Sequence, residues 1–592
     1  MNYTNKINAF GILLIAIAAA SCNKYLDRLP LDTITSEAFF ENATQVDQAL
    51  TGVYNAYGVR TVSPGFGNPT PYYSKMDLYT EIGLERGLNG TIGSGAYNPA
   101  TGTVVELWAA FYQVIQRANT LIFNMKRAQG VMNPAEYRRI EAEAKVLRAA
   151  AYWHLIVYWG DVPFFTGPLQ QQDFFNASRT PVKQIIDFLV PDLRQAATVL
   201  DWQPRDFGRV SKGVALGTAA RIAMVDRRYG DVVSLTNEVI AGNQYNLNPI
   251  FQNLFRKAGQ ESNVNREIMF IYPFGNADGG SFNYLNLVLS SRNQGGQSSH
   301  FPTQFLVDLF ECTDGRTIDQ SPLYNPAQPN KNRDPRMKQT VIVPGDTVIV
   351  QGFNSMIFSA TDRRLWLFNP INRQITASTI NNLDSSNIFG PRLNGAGNLW
   401  QKYAQDRDVN GGAGNSYKVG WVYMRFAEML LMNAEAKMET GASATEVAAL
   451  VNRVRNRGGM PNIAANVLGN PADFKAVVRR EITIEFAAEG IHMANMRRWD
   501  NGAYAAKVMA SQIYGQPLSN MRLEPGVGVI FNNPAPPPVF DPVYKVPVSW
   551  PNADALRLKR ELRIFNANQH ILCPIPQSEI DKVPSLVQNP GW

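Results

Sequence analysis

The stretch NPAEYRRIEAEAKVLRAAAYWHLIVYWGDVP, residues 133–163, predicts a long helix around which the rest of the chain can be arranged. Its apolar residues recur every three or four positions and form one stripe, made by Ile140, Ala144, Leu147, Ala151, Leu155 and Tyr158. Asn133 and Pro134 supply a cap and a first-turn proline at its start, and the Gly-Asp-Val-Pro sequence from Gly160 ends it. The pattern therefore predicts a helix over residues 133–159.

Helical periodicity continues on both sides of this stretch. Before and after it, helices are expected at residues 44–57, 104–128, 181–200 and 212–226, with one more ending near 242. Short turns join them, which is typical of tetratricopeptide-like helix pairs, although the strict repeat signature is not legible. Further helices are expected at residues 422–438, 445–456 and 473–489. The predicted fold class is mainly α, a tetratricopeptide-like helix-pair superhelix.

Residues 244–420 interrupt this pattern with a loop-rich, irregular insert that is rich in Gly, Asn, Pro and Ser. Short β-strands are expected in it at residues 268–272, 340–343 and 347–350, the last two forming a hairpin across a Pro-Gly-Asp turn. Long ordered loops are usually functional. The predicted divisions are a signal (1–21), an N-terminal helical region (22–243), the insert (244–420), and a C-terminal helical region (421–592) with an irregular tail from residue 525.

The N-terminus has the layout of a secretory signal. Its apolar run, residues 9–20, is about a dozen residues long, whereas a membrane-spanning helix needs about 20. Lys6 precedes the run, and the closing AASC, residues 19–22, resembles a bacterial lipoprotein signal. This pattern predicts cleavage before Cys22 and acylation of its thiol. The alternative is a buried N-terminal core segment.

Composition narrows the class of protein. The formal charge is +7, but the chain has no basic run and no nucleic-acid motif, so a basic groove for acidic ligands and a merely solvated basic surface both stay open. The four histidines and three cysteines form no cluster, which argues against a zinc site, and no cofactor is predicted. Cys312 and Cys573 are expected to be buried and free, with a disulfide between them left open.

Several blocks, in order along the chain, resemble the SusD/RagB nutrient-binding lipoproteins of Bacteroidetes outer membranes. The blocks are CNKYLD (22–27), IEAEAKVLRA (140–149), WGDVP (159–163), GRVSKG (208–213), MRFAEMLLMNAEA (424–436), VNRVR (451–455), PIPQSEI (574–580) and QNPGW (588–592). Together they span nearly the whole mature chain. The resemblance implies tetratricopeptide-like helix pairs, an irregular part that bears much of the ligand face, and an anchor at Cys22.

The resemblance also implies a role. Such proteins capture oligosaccharides, or in some branches peptides, and pass them to a SusC-like TonB-dependent transporter in the outer membrane. The expected location is therefore the outer membrane, lipid-anchored and exposed at the cell surface. Asp27 is the first acidic residue after Cys22, which leaves the periplasmic side open as well. His492 and Asn495 stand where the family usually has Arg and Asp, and we interpret the change as the compensated loss of a charge pair.

Catalysis is not predicted. Glu481, Glu485 and Glu489 share one helical face, as paired carboxylates of a glycoside hydrolase could, but nearby arginines favour interhelical ion pairs. These arginines are Arg453, Arg455, Arg457, Arg479 and Arg480. Ser211 is expected to cap a helix and His154 to be a satisfied core histidine. A lipoprotein glycoside hydrolase and a protein-interaction scaffold remain the alternatives to a receptor.

Binding of a glycan without catalysis needs aromatic rings for the apolar sugar faces, with amide or guanidinium groups for the hydroxyls. Two loop regions offer such groups, residues 71–98 and residues 281–294, and Trp366 lies in the same loop-rich insert as the second. The predicted ligand-binding residues are Tyr72, Tyr73, Tyr97, Phe282, Tyr284, Arg292 and Trp366. Trp108, Trp153 and Trp159 belong to predicted helices and are expected in the core.

Overall fold

A computed structural model describes most of the chain after the predicted anchor. The described residues are 39–58, 60–61, 70–86, 92–168, 171–261, 266–274, 285–350, 353–359, 364–368, 375–386, 396–404, 419–517, 521–524 and 528–592. The predicted signal, Cys22, Phe282 and Tyr284 lie outside these residues. Within them, no helix is both long and apolar enough to cross a membrane.

Helices dominate both halves of the described chain. Those before the insert are α1 Ala43–Tyr57, α2 Gly102–Asn124, α3 Pro134–Trp159, α4 Gln171–Phe175, α5 Val182–Val199, α6 Lys212–Val225 and α7 Tyr229–Ala241. Those within the insert are α8 Lys257–Glu261, α9 Leu285–Leu289, α10 Gln304–Leu309, α11 Met337–Thr340 and α12 Leu383–Ser386. Those after it are α13 Phe426–Glu439, α14 Ala444–Arg457, α15 Ala465–Leu468, α16 Pro471–Phe486, α17 His492–Arg498, α18 Ala503–Met509, α19 Ala553–Leu556, α20 Ala567–His570 and α21 Gln577–Lys582.

The strands are short and pair antiparallel. They are β1 Arg60–Thr61, β2 Thr70–Pro71, β3 Gly83–Glu85, β4 Ile268–Tyr272, β5 His300–Pro302, β6 Val341–Ile342, β7 Thr347–Val350, β8 Phe353–Ile357 and β9 Arg364–Phe368. The remainder are β10 Ile375–Asn381, β11 Leu399–Trp400, β12 Trp421–Arg425, β13 Gln512–Pro517, β14 Met521–Glu524, β15 Gly528–Phe531, β16 Val539–Phe540, β17 Pro547–Ser549 and β18 Arg557–Leu562. Their largest sheet has the order β10-β9-β8-β7.

Helix starts follow the caps that the sequence supplies. The Asn133 side chain accepts from the Ala135 amide at 2.8 Å, the Ser443 hydroxyl from the Glu446 amide at 3.2 Å, and the Asn470 side chain from the Ala472 amide at 3.1 Å. Ser211 caps α6 by accepting from the Val214 amide, which confirms its predicted role. Gly160 ends α3 with φ of 71°, a left-handed conformation that favours glycine, and a Cβ there would lie 2.9 Å from Leu572 Cδ1, so the Leu572 side chain would have to shift.

Successive helices pack against one another, and α3 lies at the centre of the first half. It contacts α1, α2, α5 and α6, and most of its side chains are buried, including Trp153 and Trp159. The series continues through α6–α7, α7–α13 and α13–α14. One hydrophobic core joins all of these helices, and a smaller cluster around Leu84, Phe301 and Leu399 lies beneath the strands of the insert. The mainly α, tetratricopeptide-like prediction is confirmed.

The structure corrects three local predictions. The helix expected from residue 422 begins only at Phe426, because residues 421–425 form β12 and pair with β4, with Trp421 opposite Tyr272. The hairpin expected across residues 340–350 does not form, because β7 pairs with β8 while β6 pairs with β11. The tail that was expected to be irregular contains β15 to β18 and three one-turn or two-turn helices.

The last residues of the chain return to α3. The indole of Trp159 donates to the Pro574 carbonyl at 2.8 Å, and the Cys573 amide donates to the Tyr158 carbonyl at 2.7 Å. The Asn589 side chain donates to the carbonyls of Trp159 at 3.0 Å and Cys573 at 2.7 Å. The closing sequence therefore completes the N-terminal helical core. Cys573 and Cys312 are both buried and free, as expected from sequence.

Candidate functional site

The predicted tyrosines of the first loop region are buried. Tyr72 and Tyr73 belong to a 3-10 helix, Tyr72–Tyr79, and are 2% and 3% exposed, while Tyr97 is 6% exposed. The Tyr73 hydroxyl donates to the Tyr57 carbonyl at 3.0 Å, and its ring lies 4.8 Å from that of Tyr423. The Tyr97 ring lies 4.7 Å from that of Trp592. Each of the three rings packs into the core, and Tyr72 and Tyr73 lie in this short helix instead of the loop that was expected, while a contact with ligand stays a prediction.

Trp366 lies in the insert sheet. It is part of β9, where its backbone is opposite Ile357 of β8 and Ala377 of β10. Phe282 and Tyr284 fall outside the described residues. For these three residues a contact with ligand stays a prediction.

The structure brings the two predicted loop regions together. Strand β3 pairs with β5, with Glu85 opposite His300 and Leu84 opposite Phe301. Immediately after β3, the Arg86 amide donates to the Ser299 carbonyl at 2.9 Å and its guanidinium to the Gln297 carbonyl at 3.0 Å. Segments more than 200 residues apart in sequence are thus joined at one place.

A buried aspartate fixes the second segment. Asp384 accepts from the Ser291 hydroxyl at 2.5 Å, the Arg292 amide at 2.8 Å and the Asn293 side chain at 2.6 Å. Burial raises the pKa of Asp384 to about 6, against the lowering effect of these donors. Asn293 also accepts from the Leu383 amide at 2.9 Å. These bonds hold the backbone of residues 291–293 and do not depend on the Arg292 side chain.

Several basic side chains lie where the two segments meet. We call the partly exposed side chains of Lys75, Glu85, Arg86, Arg292 and Asn293 the arginine face. Burial lowers the pKa of Arg292, and the neighbouring Arg86 lowers it further. Glu85 is paired with Lys75 at 3.1 Å. Guanidinium groups on this face can donate to ligand hydroxyls, whereas the Glu85 carboxylate is paired with Lys75 and the Asn293 side-chain nitrogen already donates to Asn382 and Asp384.

His300 lies behind this face and is 3% exposed. Burial, together with Lys75 and Arg86, holds its pKa well below the usual value, so the imidazole is neutral. No pattern in the sequence indicated the contributions of Lys75, Arg86 and Asp384. Their positions depend on the β3–β5 pairing and on the bonds between Asp384 and residues 291–293, both of which are long-range contacts.

The glutamates predicted to share one helical face form a buried ion-pair network, but α16 ends at Phe486, so Glu481 and Glu485 lie on the helix and Glu489 lies in the turn after it. Glu485 binds Arg336 at 2.9 Å, Arg425 at 2.6 Å, and Arg457. Glu481 binds Arg336 and Arg455, and Glu489 binds Arg425 at 2.7 Å and Lys402 at 2.8 Å. Burial alone would raise the pKa of Glu485, but Arg457 and Arg425 hold it well below its usual range.

The predicted ion pairs of Arg455 and Arg457 are confirmed. Three other arginines differ from the prediction, because Arg479 pairs with Asp500 at 2.6 Å, Arg480 pairs with Glu311 at 2.7 Å, and Arg453 lies over the ring of Phe426. Since the three glutamates are buried and bonded to cations, they do not flank a substrate cleft as hydrolytic carboxylates do.

Both histidines that the sequence singled out are buried. His154 stacks on Phe111 with ring centroids 4.7 Å apart, and burial holds its pKa well below the usual value. Its core position is confirmed, but its ring nitrogens have no hydrogen bond to any described residue, so it is not the satisfied histidine that was expected. His492 has not lost its charge partner, because its Nε2 lies 2.7 Å from a Glu81 oxygen.

Asp77, in the 3-10 helix Tyr72–Tyr79, also binds the segment that leads into α17. Its carboxylate accepts from the backbone amides of Gly490 at 3.0 Å and His492 at 3.2 Å. Among the described residues, no group of three or more His, Cys, Asp or Glu side chains is placed to hold a metal ion.

Comparisons with known sequences divide the chain into two matched parts. The family model described as "Starch-binding associating with outer membrane" matches residues 24–224, and the model described as "SusD family" matches residues 248–592. Among curated proteins, SusD-like protein P2 of Formosa agariphila is 24% identical over 512 residues, or 83% of this chain and 88% of P2. SusD-like protein P25 of the same organism is 25% identical over 307 residues, and the matched part spans 56% of P25.

Solved structures share the fold. A SusD-like carbohydrate binding protein from Bacteroides fragilis matches with a TM-score of 0.74 at 21% identity, covering 93% of this chain and 100% of that one. A laminarin binding SusD-like protein matches with a TM-score of 0.62 at 18% identity, covering 93% and 100% of the two chains. The "SusD family" model covers more than half of the sequence. The chain therefore belongs to the SusD family.

Proposed function

We propose that this protein is a lipid-anchored receptor of the outer membrane, which captures oligosaccharides and delivers them to a SusC-like TonB-dependent transporter. Family membership supports the class, and the family description of residues 24–224 names starch binding and outer-membrane association. Two solved proteins of the same fold are described as a carbohydrate binding protein and a laminarin binding protein. The anchor would be Cys22, exposed at the cell surface.

Two segments that are distant in sequence meet at the arginine face. This observation supports the binding part of the proposal. The β3–β5 pairing and the Asp384 bonds fix the backbone, while Arg86, Arg292 and Asn293 stay partly exposed. A fixed backbone that presents forked donors suits ligand hydroxyls, because little backbone freedom remains to be lost on binding. The receptor binds and releases its ligand unchanged, since the α16 carboxylates are committed to cations.

Affinity measurement on the full mature chain tests the proposal. A glycan array would identify the ligand, and calorimetry would compare wild type with Arg292→Ala, which keeps the Asp384 bonds to backbone and neighbouring side chains. We expect Arg292→Ala to weaken binding about tenfold, the loss of one hydrogen bond from a charged donor. Arg205→Ala is the matched control, because Arg205 is exposed and bonds Glu136 on the helical side.

The outcomes separate the alternatives. Appearance of shortened glycan products during the incubation would contradict a receptor without catalysis. Binding of peptides from a random library, with no binding on the glycan array, would replace the oligosaccharide by a peptide as the ligand. Equal glycan affinities for Arg292→Ala and Arg205→Ala would exclude the arginine face as the ligand-binding site.

Hand-off needs a separate experiment. The full-length lipoprotein, expressed in its own membrane with an affinity tag, should co-purify a TonB-dependent barrel after mild detergent extraction. Recovery of the lipoprotein alone, under conditions that keep other outer-membrane complexes intact, would contradict the partnership.

A further inference from the structure

The connection between α2 and α3 carries exposed apolar and basic side chains together. Phe123 is 54% exposed and Val131 is 70% exposed, although both side chains are apolar. Lys126 and Arg127 are exposed between them, and the Lys126 ammonium lies 5.6 Å from the centre of the Phe123 ring. Residues 123–131, which we call the basic turn, contain no acidic residue.

The loop after α5 adds a third exposed apolar side chain beside the start of α3. Arg205 of this loop bonds Glu136 of α3 at 2.8 Å, and Phe207, two residues later, is 56% exposed. Single exposed apolar residues are ordinary on a protein surface. Aromatic and aliphatic side chains placed among lysines and arginines are instead typical of a surface that lies in the headgroup layer of a membrane.

The charge at this end of the helices is positive. The exposed cations are Lys126, Arg127 and Arg138, and the exposed acids that lack a named partner here are Glu41 and Asp201. Other acids nearby are paired with arginines: Asp47 with Arg139 at 4.0 Å, Glu136 with Arg205 at 2.8 Å, and Asp206 with Arg205 at 3.1 Å. A surface with this excess complements phosphate-bearing headgroups.

The chain that leads from the predicted anchor enters the described structure at the same end. The described residues begin at Phe39, and α1 follows from Ala43. The 3-10 helix Met125–Ala128 contacts α1, and Asp47 in the second turn of α1 lies 4.0 Å from Arg139 of α3. The starts of α1 and α3 therefore lie side by side, next to the basic turn.

The predicted anchor alone does not orient the protein. The 16 residues between Cys22 and Phe39, residues 23–38, reach at most about 55 Å when fully extended. A tether of that reach keeps the protein at the membrane but allows any of its sides to face the lipid. A second attachment close to the point where the tether enters removes this freedom, because both attachments then act on the same end of the helices.

We propose that the basic turn, with Arg138 and Phe207 beside it, lies on an anionic lipid surface and orients the protein on the membrane that holds its anchor. The basic side chains contact lipid phosphates, while Phe123 and Val131 enter the headgroup layer. The inference rests on the proposed function for the anchor at Cys22, and glycan capture has no part in it.

Vesicle co-sedimentation of the full mature chain carrying Cys22→Ala tests this surface without acyl chains. One set of vesicles is phosphatidylcholine alone, and the other is an equal mixture of phosphatidylcholine and phosphatidylglycerol. We expect binding to the anionic vesicles at low salt and little binding to the neutral ones. Binding should be lost at about 1 M salt, where the Debye length is about 3 Å.

Charge reversal locates the contact. Lys126→Glu with Arg127→Glu should weaken binding to the anionic vesicles at least tenfold, because each basic residue near such a surface contributes about fivefold. Phe123→Ser should weaken it at unchanged net charge. Lys331→Glu with Lys338→Glu is the matched control, since it makes the same change in net charge on two exposed lysines of the insert. All five positions are exposed, so unfolding midpoints should stay at the wild-type value.

Three results would overturn the inference: no vesicle binding by the Cys22→Ala chain, equal binding to neutral and anionic vesicles, or equal losses in the two double variants. Unchanged vesicle binding in Lys126→Glu with Arg127→Glu, together with lost co-purification of a TonB-dependent barrel, would assign the basic turn to a partner protein instead.

The vesicle assay and the proposed function can fail separately. If no vesicles bind while glycan binding and acylation at Cys22 persist, the inference fails and the proposed receptor stands. If vesicle binding depends on the basic turn in a protein that is not acylated at Cys22 or binds no glycan, the basic turn is supported and the proposed function fails.

Discussion

His492 and Glu81 form a buried pair, with 2.7 Å between Nε2 and the carboxylate oxygen and 1% of each side chain exposed. Burial alone would lower the pKa of His492, but Glu81 and Asp77 raise it above its usual value. In turn His492 lowers the pKa of Glu81, against the effect of burial. Tyr504 donates to the same Glu81 oxygen at 3.1 Å. The pair ties the Tyr72–Tyr79 segment to α17.

Because this pair is charged, the loss of stability caused by a substitution at His492 should depend on pH. Because the folded pKa of His492 is raised, its contribution is complete below the unfolded value of about 6.5 and is lost as the pH rises through the folded value. The contribution of Glu81 is complete above about 4.3 and is lost on acidification through its lowered pKa. His492→Gln should therefore cost about 3 kcal/mol at pH 6 and clearly less at pH 9. Urea unfolding at both pH values measures this, and equal costs would contradict the charged pair.

The α16 network predicts a contrast between two arginines. Arg336→Met leaves Asp334, Glu481 and Glu485 buried without one of their cations, at an expected cost of about 3–5 kcal/mol. Arg205→Met removes a surface pair, and it should cost no more than about 1 kcal/mol. Thermal and urea unfolding of the two variants in parallel measure the difference. Similar unfolding midpoints would show that the network does not stabilise the fold.

A side chain at position 160 should lower stability in two ways, by straining the backbone and by contacting Leu572. Gly160→Ala places a residue with a side chain at φ of 71° and its Cβ against Leu572, so we expect a loss of about 2 kcal/mol. In the background of Leu572→Ala the clash disappears and only the backbone strain, about 1 kcal/mol, should remain. A double-mutant cycle of unfolding free energies separates the two contributions, and strict additivity would exclude the clash.

Substitution of Tyr73 is expected to change the stability of the fold rather than the affinity for ligand. Tyr73→Ala empties a site packed against Tyr423 and His154, with an expected cost of about 3–5 kcal/mol. Tyr73→Phe removes only the bond to the Tyr57 carbonyl and should cost about 1 kcal/mol, with glycan affinity within twofold of wild type. If Tyr73→Phe weakened binding tenfold at unchanged stability, the ring would belong to the ligand site after all.

Acylation of Cys22 is expected to hold the protein at the membrane. Cys22→Ala should abolish incorporation of labelled palmitate and release the chain from the membrane fraction. Protease treatment of intact cells then reports the side of the anchor for wild type. Continued labelling of Cys22→Ala would contradict the predicted acylation site.

Local signals predicted local structure well. Helix α3 was expected over residues 133–159 and spans Pro134–Trp159, because its cap, its first-turn proline and its terminal glycine all lie within the segment. Strand β12 was missed because its partner β4 lies about 150 residues earlier, and nothing in residues 421–425 reports that pairing.

The site was harder to predict than the fold for the same reason. The sequence showed Tyr72 and Tyr73 among glycines and prolines, which indicated a loop, but burial against Tyr423 and other distant residues sets their direction. Likewise the glutamate stripe was legible on α16, yet Arg336, Arg425 and Lys402 come from outside the helices considered.

The bond from Asn589 to the Trp159 carbonyl joins positions 430 residues apart in the chain. The Asn589 side chain can therefore hold the end of α3 only after residue 589 has been synthesised, so this part of the core stays open while the residues between the two positions are being added. Removing residues 588–592 should leave the Trp159 carbonyl without this donor and make the end of α3 more accessible to protease, which limited proteolysis of the purified chain measures.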